Sequence, residues 1–232
     1  MSVEEYFNDW IKVIDRTELN KVMNILNKEY SKYTIVPYKK DVFKAFKFCP
    51  LFNLKIVIIG LDPYPDLYNN KPRATGIAFA NNNEIPEEKW SPSLKILKDS
   101  VIDLEIPHNC CTFDPTLESW AKQGVLLLNS ALTCRENNIG SHIGIWRPFI
   151  VRLLTKLSEY YTGIVYILLG NTAKSFEKYI GSNNFILSCS HPSYYARTKT
   201  NMPSSIFYSA NKLIMDNYGY NQAIKWYNEI TI

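Results

Sequence analysis

The chain contains four short, mainly apolar runs, and each of them ends at a glycine or a polar residue. The runs are Ile56–Ile59, Val125–Leu128, Ile164–Leu169 and Phe185–Ser190. Runs of this length with little polar alternation are typical of strands that are buried on both faces of a parallel sheet. We therefore predict four such strands.

Segments with helical spacing of apolar residues, or with helix start and stop signals, lie between these runs. The predicted helices are 3–31, a short helix to Phe48 capped by Asp41, Ser93 to about Leu104, Thr116–Gln123 closed by Gly124, Trp146–Tyr161, Thr172–Ile180, Ile206–Asn217 and Gln222–Trp226. Residues 66–75 and 81–92 are predicted loops on either side of a short apolar element, Gly76–Phe79.

Alternation of strands and helices predicts the α/β class, with helices covering both faces of a parallel sheet. The sequence predicts a single domain over residues 1–232, built as a three-layer α/β/α sandwich. Its central sheet is expected to be four-stranded and mainly parallel. Residues 1–39 are expected to form a helical extension packed on that domain.

Composition limits the expected cellular location of the protein and the kinds of site that it can contain. No apolar run approaches 18 residues, and the first ten residues, MSVEEYFNDW, lack the pattern of a secretory signal, so we expect an intracellular protein without a membrane span. Cys49, Cys110, Cys111, Cys134 and Cys189 are odd in number and contain no C-x-x-C pair, which disfavours disulfides and zinc. The histidines, His108, His142 and His191, show no metal-ligand spacing. A net charge of +4 permits nucleic-acid binding without requiring it.

Polar residues that could take part in binding or catalysis follow the predicted strands. Asp62 comes two residues after Gly60, Asn129 ends the second run, Gly170 and Asn171 follow the third, and His191 follows the fourth. Ligands of parallel α/β sheets bind beyond the carboxyl ends of the strands, so these residues are predicted to meet at one edge. An amide can read the edge of a base, an imidazole can stabilise a departing anion, and a carboxylate can hold or deprotonate water.

Each of these residues also has a structural interpretation. Asp62 can belong to a proline turn that bonds its own backbone, Asn129 can cap a turn, and His191 can be a buried, satisfied histidine. The run GNTAKS at 170–175 lacks the spacing of a phosphate-binding P-loop and is weak evidence for nucleotide binding.

Six separated segments, in order, resemble the motifs of the family 1 uracil-DNA glycosylases. They are GLDPYP at 60–65, GIAFA at 76–80, SPSLK at 91–95, GVLLLNSALTCRENNIGSH at 124–142, LLGNTAKS at 168–175 and HPSYYAR at 191–197. The resemblance extends from about residue 40 to residue 217. It implies hydrolysis of the N-glycosidic bond of a deoxyuridine that is flipped out of DNA, with no cofactor and no metal.

The resemblance also implies how uracil is bound. Phe79 would stack on the base, Asn129 would pair with O4 and N3–H, and Tyr64 would crowd carbon 5 and reject thymine. Leu61 would contribute its backbone N–H group.

For catalysis and DNA contact, the resemblance assigns separate sets of residues. Asp62 would stabilise the sugar cation and position water, and His191, as a neutral imidazole, would bond the developing charge at O2. The residues implied to contact DNA are Ser91, Pro92, Ser93, Gly170, Asn171, Ser193, Tyr195 and Arg197.

This chain departs from the usual family pattern at four positions. Leu61 and Pro65 stand where the family usually has Gln and His, although poxvirus members also carry Pro at the latter position. Asn171 replaces the usual Ser of a phosphate-contacting loop. Tyr195 replaces the intercalating Leu and would wedge into or stack on the duplex less compactly.

Two other functions remain open from the sequence alone. One is a non-catalytic DNA-binding or processivity subunit on the same fold, and the other is a glycosylase for a different damaged base. Retention of Asp62, Asn129 and His191 favours the enzyme, and Tyr64 with Asn129 favours uracil. The expected partners are uracil-containing DNA, single- or double-stranded, and a proteinaceous uracil-glycosylase inhibitor or a replication protein. We expect a monomer.

Overall fold

A computed structural model describes residues 6–102 and 111–229 of the chain. The α-helices in chain order are α1 (Arg16–Tyr30), α2 (Lys44–Phe48), α3 (Pro92–Ile102), α4 (Glu118–Lys122), α5 (Ile143–Tyr160), α6 (Asn171–Lys174), α7 (Pro192–Thr198) and α8 (Ser205–Tyr218). The strands are β1 (Ile35–Val36), β2 (Ile56–Gly60), β3 (Leu67–Tyr68), β4 (Lys71–Pro72), β5 (Cys111–Thr112), β6 (Val125–Asn129), β7 (Cys134–Arg135), β8 (Val165–Leu169), β9 (Phe185–Cys189) and β10 (Asn228–Glu229).

The central sheet contains the strands predicted from the apolar runs. Its order is β6-β2-β8-β9, and every neighbouring pair is parallel. All residues of β2, β6 and β8 are buried, so both faces of these strands must be covered by helices, whereas the edge strand β9 is only partly buried. The predicted three-layer α/β/α class is confirmed.

The segments at the two ends of the described chain pack into the same hydrophobic core as the sheet. One cluster of buried side chains includes Phe7 and Trp10 as well as Trp226. The indole N–H of Trp10 donates to the carbonyl of Cys49 at 2.6 Å, and the indole N–H of Trp120 donates to the carbonyl of Trp226 at 2.8 Å. The described part of the N-terminal extension therefore shares one hydrophobic core with the sheet.

Several predicted elements in the first half of the chain were wrong in their bounds. Residues 3–31 are not one helix, because a 3-10 turn at Asn8–Lys12 precedes α1, and Asp15 caps α1 by accepting from the N–H of Glu18 at 3.0 Å. Asp41 caps nothing, since it ends a separate 3-10 turn, Lys39–Asp41. The predicted loop 66–75 contains the small hairpin β3–β4.

In the second half, three predicted helices are shorter than expected or absent. The helix predicted at 116–123 begins only after Leu117, which adopts a left-handed φ of 53°. The one predicted at 172–180 splits into α6 and a 3-10 turn, Glu177–Tyr179. No helix forms at 222–226, where the chain extends from a 3-10 turn, Tyr220–Gln222, into β10. The predicted end of α3 near Leu104, together with His108 and Cys110, lies outside the described residues.

Candidate active site

The carboxyl ends of the parallel strands meet at one edge of the sheet. Gly60 at the end of β2 is in register with Asn129 at the end of β6. A pocket at this edge, here called the strand-end pocket, is lined by residues that include Asp62, Tyr64, Phe79, Asn129 and His191. Of the predicted strand-end residues, the pocket brings together Asp62, Asn129 and His191, whereas Gly170 and Asn171 are not among its lining residues.

Close packing at the floor of the strand-end pocket requires a glycine. A Cβ atom on Gly60 would lie 2.6 Å from both the Asn129 amide oxygen and the Phe79 ring. Phe79 itself adopts a left-handed φ of 67° and is 5% exposed. The Tyr64 hydroxyl donates to the backbone carbonyl of Phe79 at 2.9 Å, which fixes the Tyr64 side chain relative to the Phe79 backbone. Burial raises the pKa of Tyr64, so its hydroxyl stays protonated.

His191 is held in one orientation and is uncharged at neutral pH. It is the N-cap of α7, and its Nδ1 atom accepts from the backbone N–H of Ser193 at 3.2 Å. A ring nitrogen that accepts from an N–H group carries no proton, so the neutral imidazole bears its proton on Nε2. Burial lowers the pKa of His191 from 6.5 to about 4. Nε2–H is therefore available as a neutral donor.

Glycine is also required beside His191. Gly170 directly follows β8 and has a φ of 89°. A Cβ atom on Gly170 would lie 2.9 Å from the Cβ of His191. The ring of His191 lies 5.6 Å from that of Phe79, centroid to centroid. The absence of a side chain at Gly170 therefore lets His191 pack closely beside it, next to Phe79 in the lining of the strand-end pocket.

Asp62 is partly buried, and its carboxylate is oriented by the backbone. Its Oδ2 atom accepts from the N–H of Gly140. Burial raises the pKa of Asp62, and the Gly140 hydrogen bond opposes that rise. The carbonyl of the neighbouring Leu61 accepts from the N–H of Ala131 at 3.1 Å, which fixes the backbone next to the carboxylate.

The residues predicted to contact DNA divide by exposure. Ser91 and Ser93 are buried, and Ser91 exchanges hydrogen bonds with Asn81. Tyr195 is half-buried, packs against the core and interacts through its hydroxyl with the Cys189–Ser190 segment. Four of the predicted contacts, Pro92, Asn171, Ser193 and Arg197, are exposed. Together with the neighbouring exposed Tyr194 they are here called the rim.

Two residues at the site carried no recognisable sequence signal. The contribution of Gly140 is a backbone N–H group, which every residue except proline possesses. Asn81 is buried, and its side chain bonds the backbone N–H of Ser91 at 2.8 Å, which shapes the start of α3. Its position in a polar loop gave no reason to single it out.

Within residues 6–102 and 111–229, no group of three or more His, Cys, Asp and Glu side chains is placed to hold a metal ion. In that same part of the chain, no helix has both the length and the apolar character needed to cross a bilayer.

Known proteins resemble this chain in both sequence and fold. Residues 46–214 match the family described as the uracil DNA glycosylase superfamily. A uracil-DNA glycosylase of Fusobacterium nucleatum is 37% identical over 229 residues, covering 94% of this chain and 95% of that protein. One from Mesomycoplasma hyopneumoniae is 36% identical over 221 residues, covering 93% of this chain and 94% of that protein.

Solved structures of low sequence identity share the fold. The crystal structure of mimivirus uracil-DNA glycosylase superposes with a TM-score of 0.73 at 22% identity, covering 97% of this chain and 93% of that one. A mimivirus UNG variant in complex with UGI gives a TM-score of 0.74 at 21% identity, with the same coverage of both chains.

Proposed function

Because this chain belongs to the uracil-DNA glycosylase superfamily and excises uracil from DNA, we propose that Asp62, Asn129 and His191 carry the reaction. The observation that carries this proposal is the convergence of all three side chains on the strand-end pocket. A carboxylate can hold or deprotonate water, an amide can read the edge of the base, and a neutral imidazole donor can stabilise the departing anion.

The pocket selects uracil by shape and by hydrogen bonds. Phe79 stacks on the flipped base, and the Asn129 amide pairs with its O4 and N3–H groups. Tyr64, fixed by its bond to the Phe79 carbonyl, fills the space beside carbon 5. The methyl group of thymine has no room there, and cytosine presents the wrong hydrogen-bond pattern to Asn129.

The chemical step breaks the bond between N1 of uracil and C1′ of the sugar. The bonding electron pair leaves with uracil as an anion, and Nε2–H of His191 donates to the charge that develops at O2. Asp62 stabilises the sugar cation and positions the water that attacks C1′, and it accepts the proton released by that water. Because His191 donates while neutral, its stabilising bond strengthens as the anion forms, which lowers the transition state relative to the bound substrate.

Exposed rim residues and their neighbours contact the DNA around the extruded nucleotide. Pro92, Asn171 and Ser193 are exposed, which supports their contact with backbone phosphates, and the exposed Arg197 can neutralise one phosphate. Ser91, Ser93 and Gly170 shape this surface from beneath. Tyr195 contacts the duplex next to the vacated base, with the exposed Tyr194 beside it.

Membership of the family also supports proposals about a protein partner, the oligomeric state and the cellular compartment. One solved relative forms a complex with UGI, so we propose that a protein inhibitor can occupy the DNA-binding face of this chain as well. We also propose that the protein acts as a single-domain monomer inside a compartment that holds DNA.

A base-release assay tests the proposed function. The wild-type protein should release uracil from single- and double-stranded DNA and leave matched thymine and cytosine oligonucleotides intact. Tyr64→Ala should release some thymine, because the space beside carbon 5 is opened, while Tyr68→Ala, outside the strand-end pocket, should not. Failure of the wild-type protein to release uracil, or unchanged rejection of thymine by Tyr64→Ala, would refute the pocket assignment.

A further inference from the structure

The backbone bond to Asp62 comes from a loop that is itself tied to the Asp62 segment. This Gly140 loop comprises residues 134–142. Besides the Gly140 bond, the N–H of Asn137 donates to the carbonyl of Pro65 at 2.9 Å. The Cys134 thiol donates to the carbonyl of Pro63 at 3.4 Å. The position of the carboxylate therefore follows the position of the loop.

On its other side, the Gly140 loop is held by one side chain of α1. Glu29 accepts two hydrogen bonds from the guanidinium group of Arg135, at 2.7 and 3.0 Å. The same carboxylate lies 3.3 Å from Nε2 of His142. Arg135 and His142 are near the two ends of the loop, so Glu29 bridges both ends at once.

The bridge is shielded on its His142 side, whereas the Arg135 side chain is 32% exposed. The side chain of His142 is fully buried, and that of Glu29 is 16% exposed. The Trp146 indole donates to the Thr133 hydroxyl at 2.8 Å, which leaves that hydroxyl free to donate to Nδ1 of His142, also at 2.8 Å. The neutral His142 then bears its proton on Nε2 and donates to Glu29.

Electrostatics and stacking make this bridge stiffer than a surface ion pair. A planar, two-bond contact between arginine and a carboxylate fixes orientation as well as distance. The Arg135 guanidinium also stacks on the Tyr33 ring, 3.8 Å from its centroid. By contrast, Glu18 on the same helix pairs with the mostly exposed Lys21, three residues further along that helix.

We propose that Glu29 is a positioning residue for Asp62 and that α1 is consequently part of the catalytic apparatus. The inference rests on the proposed role of Asp62. Glu29 does not touch substrate. It acts by holding the Gly140 loop so that the Gly140 N–H orients the carboxylate toward the attacking water. Small displacements of a reacting group lower the rate strongly, so loss of the bridge should slow chemistry rather than weaken DNA binding.

The test is a double-mutant cycle measured by single-turnover uracil release. Glu29→Gln should lower the rate at saturating DNA by about 10-fold or more, with DNA affinity within about 2-fold of wild type. Glu18→Gln, the same substitution on the same helix, should keep the wild-type rate. In an Asp62→Ala background, Glu29→Gln should cost less than about 2-fold, because the group that it positions is gone.

Other outcomes overturn the inference. An equal loss in both backgrounds would assign Glu29 a purely structural role, and an unchanged rate in the wild-type background would remove any role. If Glu29→Gln does not fold, Arg135→Lys, which keeps the charge and loses the two-bond contact, replaces it in the same cycle with the same criteria. Absence of uracil release by the wild-type protein would instead contradict the proposed function.

Discussion

The strand-end pocket and the rim are constructed differently. In the pocket, Asp62, Tyr64 and His191 are each oriented by a hydrogen bond to the protein, and Phe79 and Asn129 are buried. The rim residues are exposed, and their side chains extend toward solvent. Groups that are oriented before substrate arrives need no reorganisation in the transition state, whereas exposed groups can adapt to DNA.

This difference separates two kinds of energetic effect. Substitutions in the pocket should change the rate of bond breaking or the identity of the base, and substitutions in the rim should change affinity and the response to duplex structure. The following predictions on activity test this separation in order of decreasing expected effect, and a prediction on the stability of the pocket comes after them.

Asp62→Asn should give the largest loss, on the order of 100-fold or more in the single-turnover rate, because a carboxylate that stabilises the cation and accepts a proton is replaced by a neutral amide. DNA affinity should change little, since the amide retains the size of the carboxylate. Quenched-flow uracil release and fluorescence anisotropy with the same oligonucleotide check both quantities. A rate within a few-fold of wild type would move catalysis to another residue.

Asn129→Asp should alter base identity rather than duplex binding. A carboxylate accepts a hydrogen bond from N4 of cytosine but repels O4 of uracil, so discrimination between these bases should shift by about 1–3 kcal/mol toward cytosine. Release rates from paired uracil and cytosine oligonucleotides measure the shift. Wild-type selectivity in this variant would separate Asn129 from base recognition.

Tyr195→Ala should lose more activity on double-stranded than on single-stranded uracil DNA. An aromatic side chain that stacks beside the vacated base recovers roughly 1–3 kcal/mol, and a single strand needs little unstacking. Tyr194→Ala is the matched control, since the two rings are neighbours, 5.4 Å apart. Equal losses on both substrates would exclude a wedge at Tyr195. A strand-dependent loss confined to Tyr194→Ala would transfer the wedge to the exposed ring.

His191 should make a pH-dependent contribution to stability. Its pKa is depressed from 6.5 to about 4 in the folded state, so the stabilisation is present above pH 6.5 and is lost as the pH falls toward 4. The loss amounts to at most about 3 kcal/mol. Urea unfolding at pH 7 and pH 4.5 should show a steeper decline for wild type than for His191→Gln. Parallel declines would contradict the depressed pKa.

Sequence patterns predicted the sheet well because its strands are short apolar runs that only a doubly covered sheet can bury. Helix ends were less predictable where tertiary contacts override local preference, as at Leu117. The β1–β7 and β5–β10 pairs were not predicted, because each pair joins segments that are far apart in the chain. The helix α7 was missed, although Pro192 directly after its N-cap is a helix-start signal.

The candidate site likewise contains some residues that the sequence identified and others that it did not. Asp62, Asn129 and His191 could be identified as strand-end residues from the sequence, but their roles came from family resemblance. The backbone donor of Gly140 and the bridge from Glu29 could not be identified, because hydrogen bonds from backbone groups and between segments 106 residues apart leave no local pattern.

The most direct measurement compares pocket and rim in one experiment, by determining DNA affinity and the single-turnover rate at saturating DNA for Asp62→Asn, His191→Ala and Arg197→Ala. The account predicts that the two pocket variants lose rate at nearly constant affinity. Arg197→Ala should lose affinity, with a salt dependence that is weaker by about one phosphate contact, at nearly constant rate. Loss of affinity in the pocket variants with an unchanged rate at saturation would contradict the assignment of chemistry to the strand ends.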